Sequence, residues 1–124
     1  MILRIIGSMA FCDKYLGIKE QLEQKGHQII LPRKDPMPKP VPKEHKLKTM
    51  HEFNEDLSKS DGILVMNYSK GDKINHIGVN TLMEIGMAFN RGKKIFVLNS
   101  IPEFCKHELE AIDCKVLDGK LDNI

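Results

Sequence analysis

The sequence has no apolar run long enough to cross a bilayer, no CxxC pair, no excess of one charge and neither of the common glycine-rich phosphate fingerprints. Each absence argues against a class of function. The apolar opening MILRIIG gives way within a few residues to polar sequence, so it reads as a buried first strand and not as a signal h-region or membrane span. The three cysteines, Cys12, Cys105 and Cys114, are odd in number and unpaired by spacing, which suits a reducing cytoplasm and supports neither a disulfide framework nor a metal site. A formal net charge of +2, with lysines scattered along the chain, argues against a nucleic-acid polymer or a membrane as partner. Without GxGxxG or GxxxxGK[ST], dinucleotide and triphosphate binding of the usual kinds lose their support, and no cofactor is expected.

What is present is ordinary for a globular protein. With 124 residues, 41% apolar and 29% charged, the chain suits one domain over residues 1–124. Ile2 to Ile6 form a β-branched strand that turns at Gly7 and Ser8. Phe11, Tyr15, Ile18 and Leu22 recur at helical spacing until Gly26. His27 to Leu31 make the second strand, and prolines at 32, 36, 38, 40 and 42 then predict an extended loop, either a lid or a spacer. Leu47, Met50, Phe53 and Leu57 mark the next helix. Gly62 to Met66 follow as the third strand, with Asp61 as its boundary residue. A helix carrying Leu82, Ile85, Ala88 and Phe89 stops near Gly92 and leads to a fourth strand over Lys94 to Leu98. Ser100 and Glu103 have the spacing of a capping box for a last helix with Cys105, Leu109 and Ile112, before a fifth strand at Cys114 to Leu117. Strands alternating with helices predict a flavodoxin-like, Rossmann-like three-layer α/β sandwich with a five-stranded parallel sheet in the order 2-1-3-4-5.

In such sheets ligands bind beyond the carboxyl ends of the strands, near the switch point. That rule selects Gly7, Ser8 and Met9 after the first strand, the segment from Asn67 to Asn80 after the third, and Asn99 after the fourth. Gly7 and Ser8 offer backbone donors and a hydroxyl to an anion, or form a plain strand-to-helix turn. Glu84 lies about one turn into the helix that begins at this site; Thr81-x-x-Glu84 also matches a capping box, so the carboxylate is either a cap or a reactive group.

GSMAF after the first strand, GHQIILP, SDGILVMN, NTLMEIGMAF and KKIFVLN, in this order, resemble the nucleoside 2-deoxyribosyltransferase superfamily, which includes deoxynucleoside 5'-monophosphate N-glycosidases. The resemblance covers most of the chain. It implies that Glu84 is a nucleophile toward the anomeric carbon of a sugar and that the protein is a homo-oligomer whose sites are completed by a neighbouring copy; with the loops the switch point selects, the candidate substrate contacts are Gly7, Ser8, Met9, Asn67, His76, Gly78, Asn80 and Asn99. Met83 and Met87 are the candidate contact side. The chain departs from the family where an aspartate two turns before the third strand is matched by Phe53, among Glu52, Asn54 and Asp56, and where Gly78 stands for an aspartate or serine. Asn80 or His76 are the candidate substitutes. His76 would donate a proton to the leaving base, Lys70 and Lys73 would meet a 5'-phosphate, and Tyr68 and Met9 would pack on the base; each also reads as an ordinary loop residue. Three functions therefore stand open: cleavage or transfer at an N-glycosidic bond, a nucleotide-binding or sensing module without turnover, and a structural subunit in which Glu84 only caps a helix.

Overall fold

A computed structural model describes residues 1–34 and 38–124. Pro36, within the proline-rich segment, lies outside the described residues. Five parallel strands, β1 (Ile2–Ile6), β2 (Gln28–Ile30), β3 (Gly62–Val65), β4 (Lys94–Val97) and β5 (Lys115–Val116), pair in the order β2-β1-β3-β4-β5. This is the predicted sheet, with β2 to β5 each trimmed at one or both ends. The helices are α1 (Cys12–Gln24), α2 (Lys43–Ser58), α3 (Val79–Asn90) and α4 (Lys106–Ala111). No helix among the described residues is long and apolar enough to cross a membrane.

Alternation along the strands divides the core between the two faces of the sheet. Ile63, Val65, Ile95 and Val97 meet Phe53 and Leu57 of α2, Ile85 and Ala88 of α3, and Leu109 of α4. Leu3, Ile5, Leu64, Met66 and Phe96 face the other way, onto Tyr15 and Leu22 of α1 and onto the C-terminal Leu117. The central strands are buried on both sides, which is why they read as nearly continuous apolar runs. One residue breaks that pattern: Arg4, in the middle of β1, is 5% exposed.

Two capping expectations fail. The N-cap of α3 is Gly78, which places Thr81 inside the helix and buried, so Thr81 and Glu84 form no capping box. Ser100 caps nothing; Pro102 precedes a single 3-10 turn over Glu103–Cys105, and α4 starts after it. In both places the chain enters the helix from an extended proline or glycine, so the threonine or serine sits at the wrong backbone position to reach the free N–H groups. The faces of two helices also shift. Phe89 and Leu47 both stand 52% exposed, and Thr81 and Asp56 take the inward positions.

Candidate active site

Beyond the carboxyl ends of β1 and β3, a cavity of about 420 Å³ opens between the first loop, α2 and the start of α3. Its back wall is the turn after β1. A Cβ on Gly7 would stand 2.6 Å from the Tyr15 hydroxyl and 3.1 Å from the Met66 carbonyl, at a φ of 154°, so this position admits no side chain. Tyr15 donates from its hydroxyl to the Ser8 carbonyl at 2.7 Å, which fixes the turn; burial raises the pKa of that phenol, keeping it the protonated donor. The Ser8 side chain accepts from the Ala10 N–H at 3.2 Å as the cap of a 3-10 turn over Met9–Phe11.

Glu84 enters from the second turn of α3, half-buried among cavity-lining atoms that include Phe53, Met87 and Ile6. Desolvation there pushes its pKa up to about 7, against the opposing pull of Arg4 and then Lys46. Asn80 links two of these groups. It donates from Nδ2 to Glu84 Oε1 at 3.4 Å and accepts at Oδ1 from Lys46 Nζ. The cavity wall also holds an ionic cluster, buried at Arg4 and Asp56 and reaching the surface at Arg33. Arg4 Nε meets Asp56 Oδ2 at 2.9 Å, Arg33 Nη1 meets the same oxygen at 3.2 Å, and Arg33 Nε meets Glu52 at 2.8 Å. Phe53 holds the Arg4 guanidinium 5.2 Å above its ring centroid.

Of the residues expected to touch substrate, the cavity takes in Gly7, Ser8, Met9, His76, Gly78 and Asn80, together with Glu84 and Lys70. It does not take in Asn67 or Asn99. Asn67 Nδ2 donates to the Asn99 and Ser100 carbonyls at 3.0 and 3.1 Å, and its Oδ1 accepts the Asn99 N–H at 2.8 Å. Asn99 Nδ2 returns a bond to the Asn67 carbonyl at 3.2 Å. The two amides tie β3 to β4, and Asn99 lines a separate hollow beside Tyr68 and Gly119. Tyr68 packs on the opposite face of the sheet, edge-on to Phe11 with ring centroids 5.3 Å apart. Lys73 stays outside the cavity, in a short bridge with Lys70. The His76 pKa is lowered, by desolvation first and then by Lys73 and Lys70, so at neutral pH the imidazole is mainly neutral and poor as a proton donor. Met87 turns inward to the cavity and core, leaving Met83 as the exposed methionine of α3.

Arg4, Arg33 and Lys46 were not among the expected site residues. Arg33 and Lys46 look like surface charge in sequence and carried no signal. Arg4 did carry one, because a lone guanidinium inside a β-branched central strand is costly unless it is paired or used.

No family model and no curated protein matches the chain. Solved structures do resemble it. A 2-deoxyribosyltransferase from Bacillus psychrosaccharolyticus, described as a biocatalyst for the synthesis of antiviral and antitumoral nucleosides, superposes with a TM-score of 0.62 at 14% identity, over 87% of this chain and 81% of its own. A CMP N-glycosidase from Clostridium botulinum gives 0.56 at 16% identity, over 94% of this chain and 88% of its own. The chain shares their fold. At such identities the likeness reaches the order of the strands and the course of the chain, and what the cavity does is argued from its own residues.

Proposed function

We propose that the protein cleaves or transfers the N-glycosidic bond of a nucleoside or nucleoside 5'-monophosphate, with Glu84 as nucleophile. The observation that carries this reading is a carboxylate in the wall of the switch-point cavity whose pKa is pushed up to about 7, in a helix position where it has no capping duty. The fold shared with a deoxyribosyltransferase and a CMP N-glycosidase is consistent with it.

In this reading the ionised Glu84 attacks the anomeric carbon as the C–N bond breaks and its electron pair leaves with the base. The leaving nitrogen takes a proton from water or from an acid in the cavity. The resulting sugar ester is opened by water, giving the free sugar, or by a second base, giving a new nucleoside; either way Glu84 is released as a carboxylate. Asn80 orients the carboxylate, and the Gly7 to Met9 turn supports the sugar. The cations Lys46, Arg33 and Lys70 around the cavity suit a substrate with a 5'-phosphate. A second copy of the chain would complete the open side of the site.

A non-catalytic nucleotide-binding module is the second reading, and Phe53 favours it, since this apolar ring stands where the resembled family has an acid. Incubation with a panel of nucleosides and their monophosphates, with and without an acceptor base, separates the two. Catalysis predicts free base or exchanged base as product, a drop of several orders of magnitude in turnover for Glu84→Gln with binding retained, and a sugar adduct on Glu84 from a 2-fluoro analogue. Binding of panel members without any product supports the module, and a glutamine variant that keeps most of a measurable activity removes Glu84 from the reaction.

A further inference from the structure

Arg4 is the one charged residue in the middle of β1, and its neighbours account for only part of it. The strand alternates, sending Leu3 and Ile5 toward α1 and Arg4 with Ile6 toward the cavity side. An aliphatic side chain would fill this position without cost, whereas a desolvated guanidinium costs several kcal/mol unless it is well paired. Nε is bound by Asp56 at 2.9 Å, Nη1 donates to the Ile5 carbonyl, and the Phe53 ring covers the group at 5.2 Å. Nη2 has no hydrogen-bond partner among the described residues. The clamped guanidinium belongs to a residue that lines the cavity together with Glu84. Asp56 does not need Arg4 alone, because Arg33 reaches both of its oxygens, at 3.2 and 3.4 Å.

We propose that Arg4 is a positioning residue for Glu84: a cation that cannot move, set in the cavity wall so that the carboxylate is the form that meets the sugar. The proposal rests on the reading of Glu84 as nucleophile. Other titratable groups line the cavity or lie close to Glu84. Lys46 and Glu52 line it from α2, Lys70 and His76 from the loop before α3, and Arg33 from the segment after β2, while the Tyr15 phenol of α1 senses the Glu84 charge. Lys46 is the nearest rival, but it is a half-exposed, flexible ammonium already engaged by Asn80, so an entering substrate can displace it. Arg4 is held at three points and stays when water leaves. Its field then strengthens, because the ligand replaces water of high dielectric. The direction of its effect on Glu84 agrees, since Arg4 is the first of the two cations that oppose desolvation there.

The test is a titration that needs no turnover. Carbon-13 spectra of protein labelled at glutamate carboxyls report Glu84 directly, its signal identified by its loss in Glu84→Gln. Wild type should titrate near 7. Arg4→Met should move that transition up by about one pH unit, the effect of removing a near opposite charge. Arg4→Lys, which keeps the charge, should stay close to wild type. Asp56→Asn breaks the same ion pair but removes a negative charge, so the transition should fall or hold. A purely structural Arg4 makes Arg4→Met and Asp56→Asn act alike; that result, or no shift in Arg4→Met, overturns the proposal. Should Arg4→Met not fold, the double variant Arg4→Met with Asp56→Asn is compared with Asp56→Asn alone, and no upward shift of Glu84 between those two has the same force. Activity separates the two ideas: where substrate is turned over, the acid limb of kcat/KM follows the shift, and where none is, the titration still decides the role of Arg4 while the enzymatic reading falls.

Discussion

A carboxylate with a pKa near 7 exists in two protonation states at neutral pH, and the protein loses stability to keep it so. The folded-state value of about 7 for Glu84 lies above its ordinary 4.5. Between those values the folded chain binds the proton more tightly than the unfolded chain, so stability is full below the lower value and falls as pH rises toward the upper one. Glutamine at this position has no charge to desolvate. Glu84→Gln is therefore expected to melt higher than wild type at about pH 8, by on the order of 1–3 kcal/mol, with the difference vanishing toward about pH 4. Thermal unfolding of both proteins across that range checks it. A glutamine variant less stable than wild type at all pH values would mean that the carboxylate is structural. The same desolvation predicts that activity rises with pH through about 7 as Glu84 ionises.

At the scale of elements, the site depends on how three loops are held at the carboxyl edge of the sheet. The turn after β1 is fixed by Tyr15 from α1, and the start of α3 is tied to α2 through Lys46 and Asn80. The ends of β3 and β4 are locked by the exchange of bonds between Asn67 and Asn99. Asn67 is 1% exposed, so Asn67→Ala leaves buried donors and acceptors without partners. The expected cost is about 2–3 kcal/mol, read from the urea midpoint. Ligand binding by the folded fraction should be little changed, because this pair lies outside the cavity. A variant with wild-type stability and weakened binding would return Asn67 to the site.

For the whole molecule, the open cavity and the exposed apolar side of α3 belong to one question. Val79 is 87% and Met83 38% exposed, one helical turn apart, and Val79 also borders the cavity. A second copy docked there would cover apolar surface and narrow the mouth of the site. We expect a dimer or a dimer of dimers at micromolar concentration, measured by sedimentation or light scattering, and dissociation by Met83→Glu through burial of an unpaired charge. A monomeric mass for wild type at that concentration would remove the oligomer from the picture.

Hydrophobic periodicity by itself determined the element order and the parallel sheet, because alternation of strands and helices along the chain leaves few ways to bury both faces of each strand. It also brought Gly7, Ser8, Met9, His76, Gly78, Asn80 and Glu84 to one edge, since the carboxyl ends of parallel strands share a side. Local spacing failed where the competing partner is distant in sequence. Thr81 and Ser100 have the spacing of caps, yet the backbone enters each helix elsewhere. Asn67 and Asn99 have the position of ligands, yet they satisfy each other across 32 residues. Tyr68 lies in the right loop but on the wrong face. The charge state of the site was the least legible of all. It depends on how close Arg4, Asp56, Arg33 and Lys46 come to Glu84 from β1, α2 and the segment after β2, and on how much water the cavity keeps. Those are distances and burial in three dimensions, which the tertiary structure alone decides.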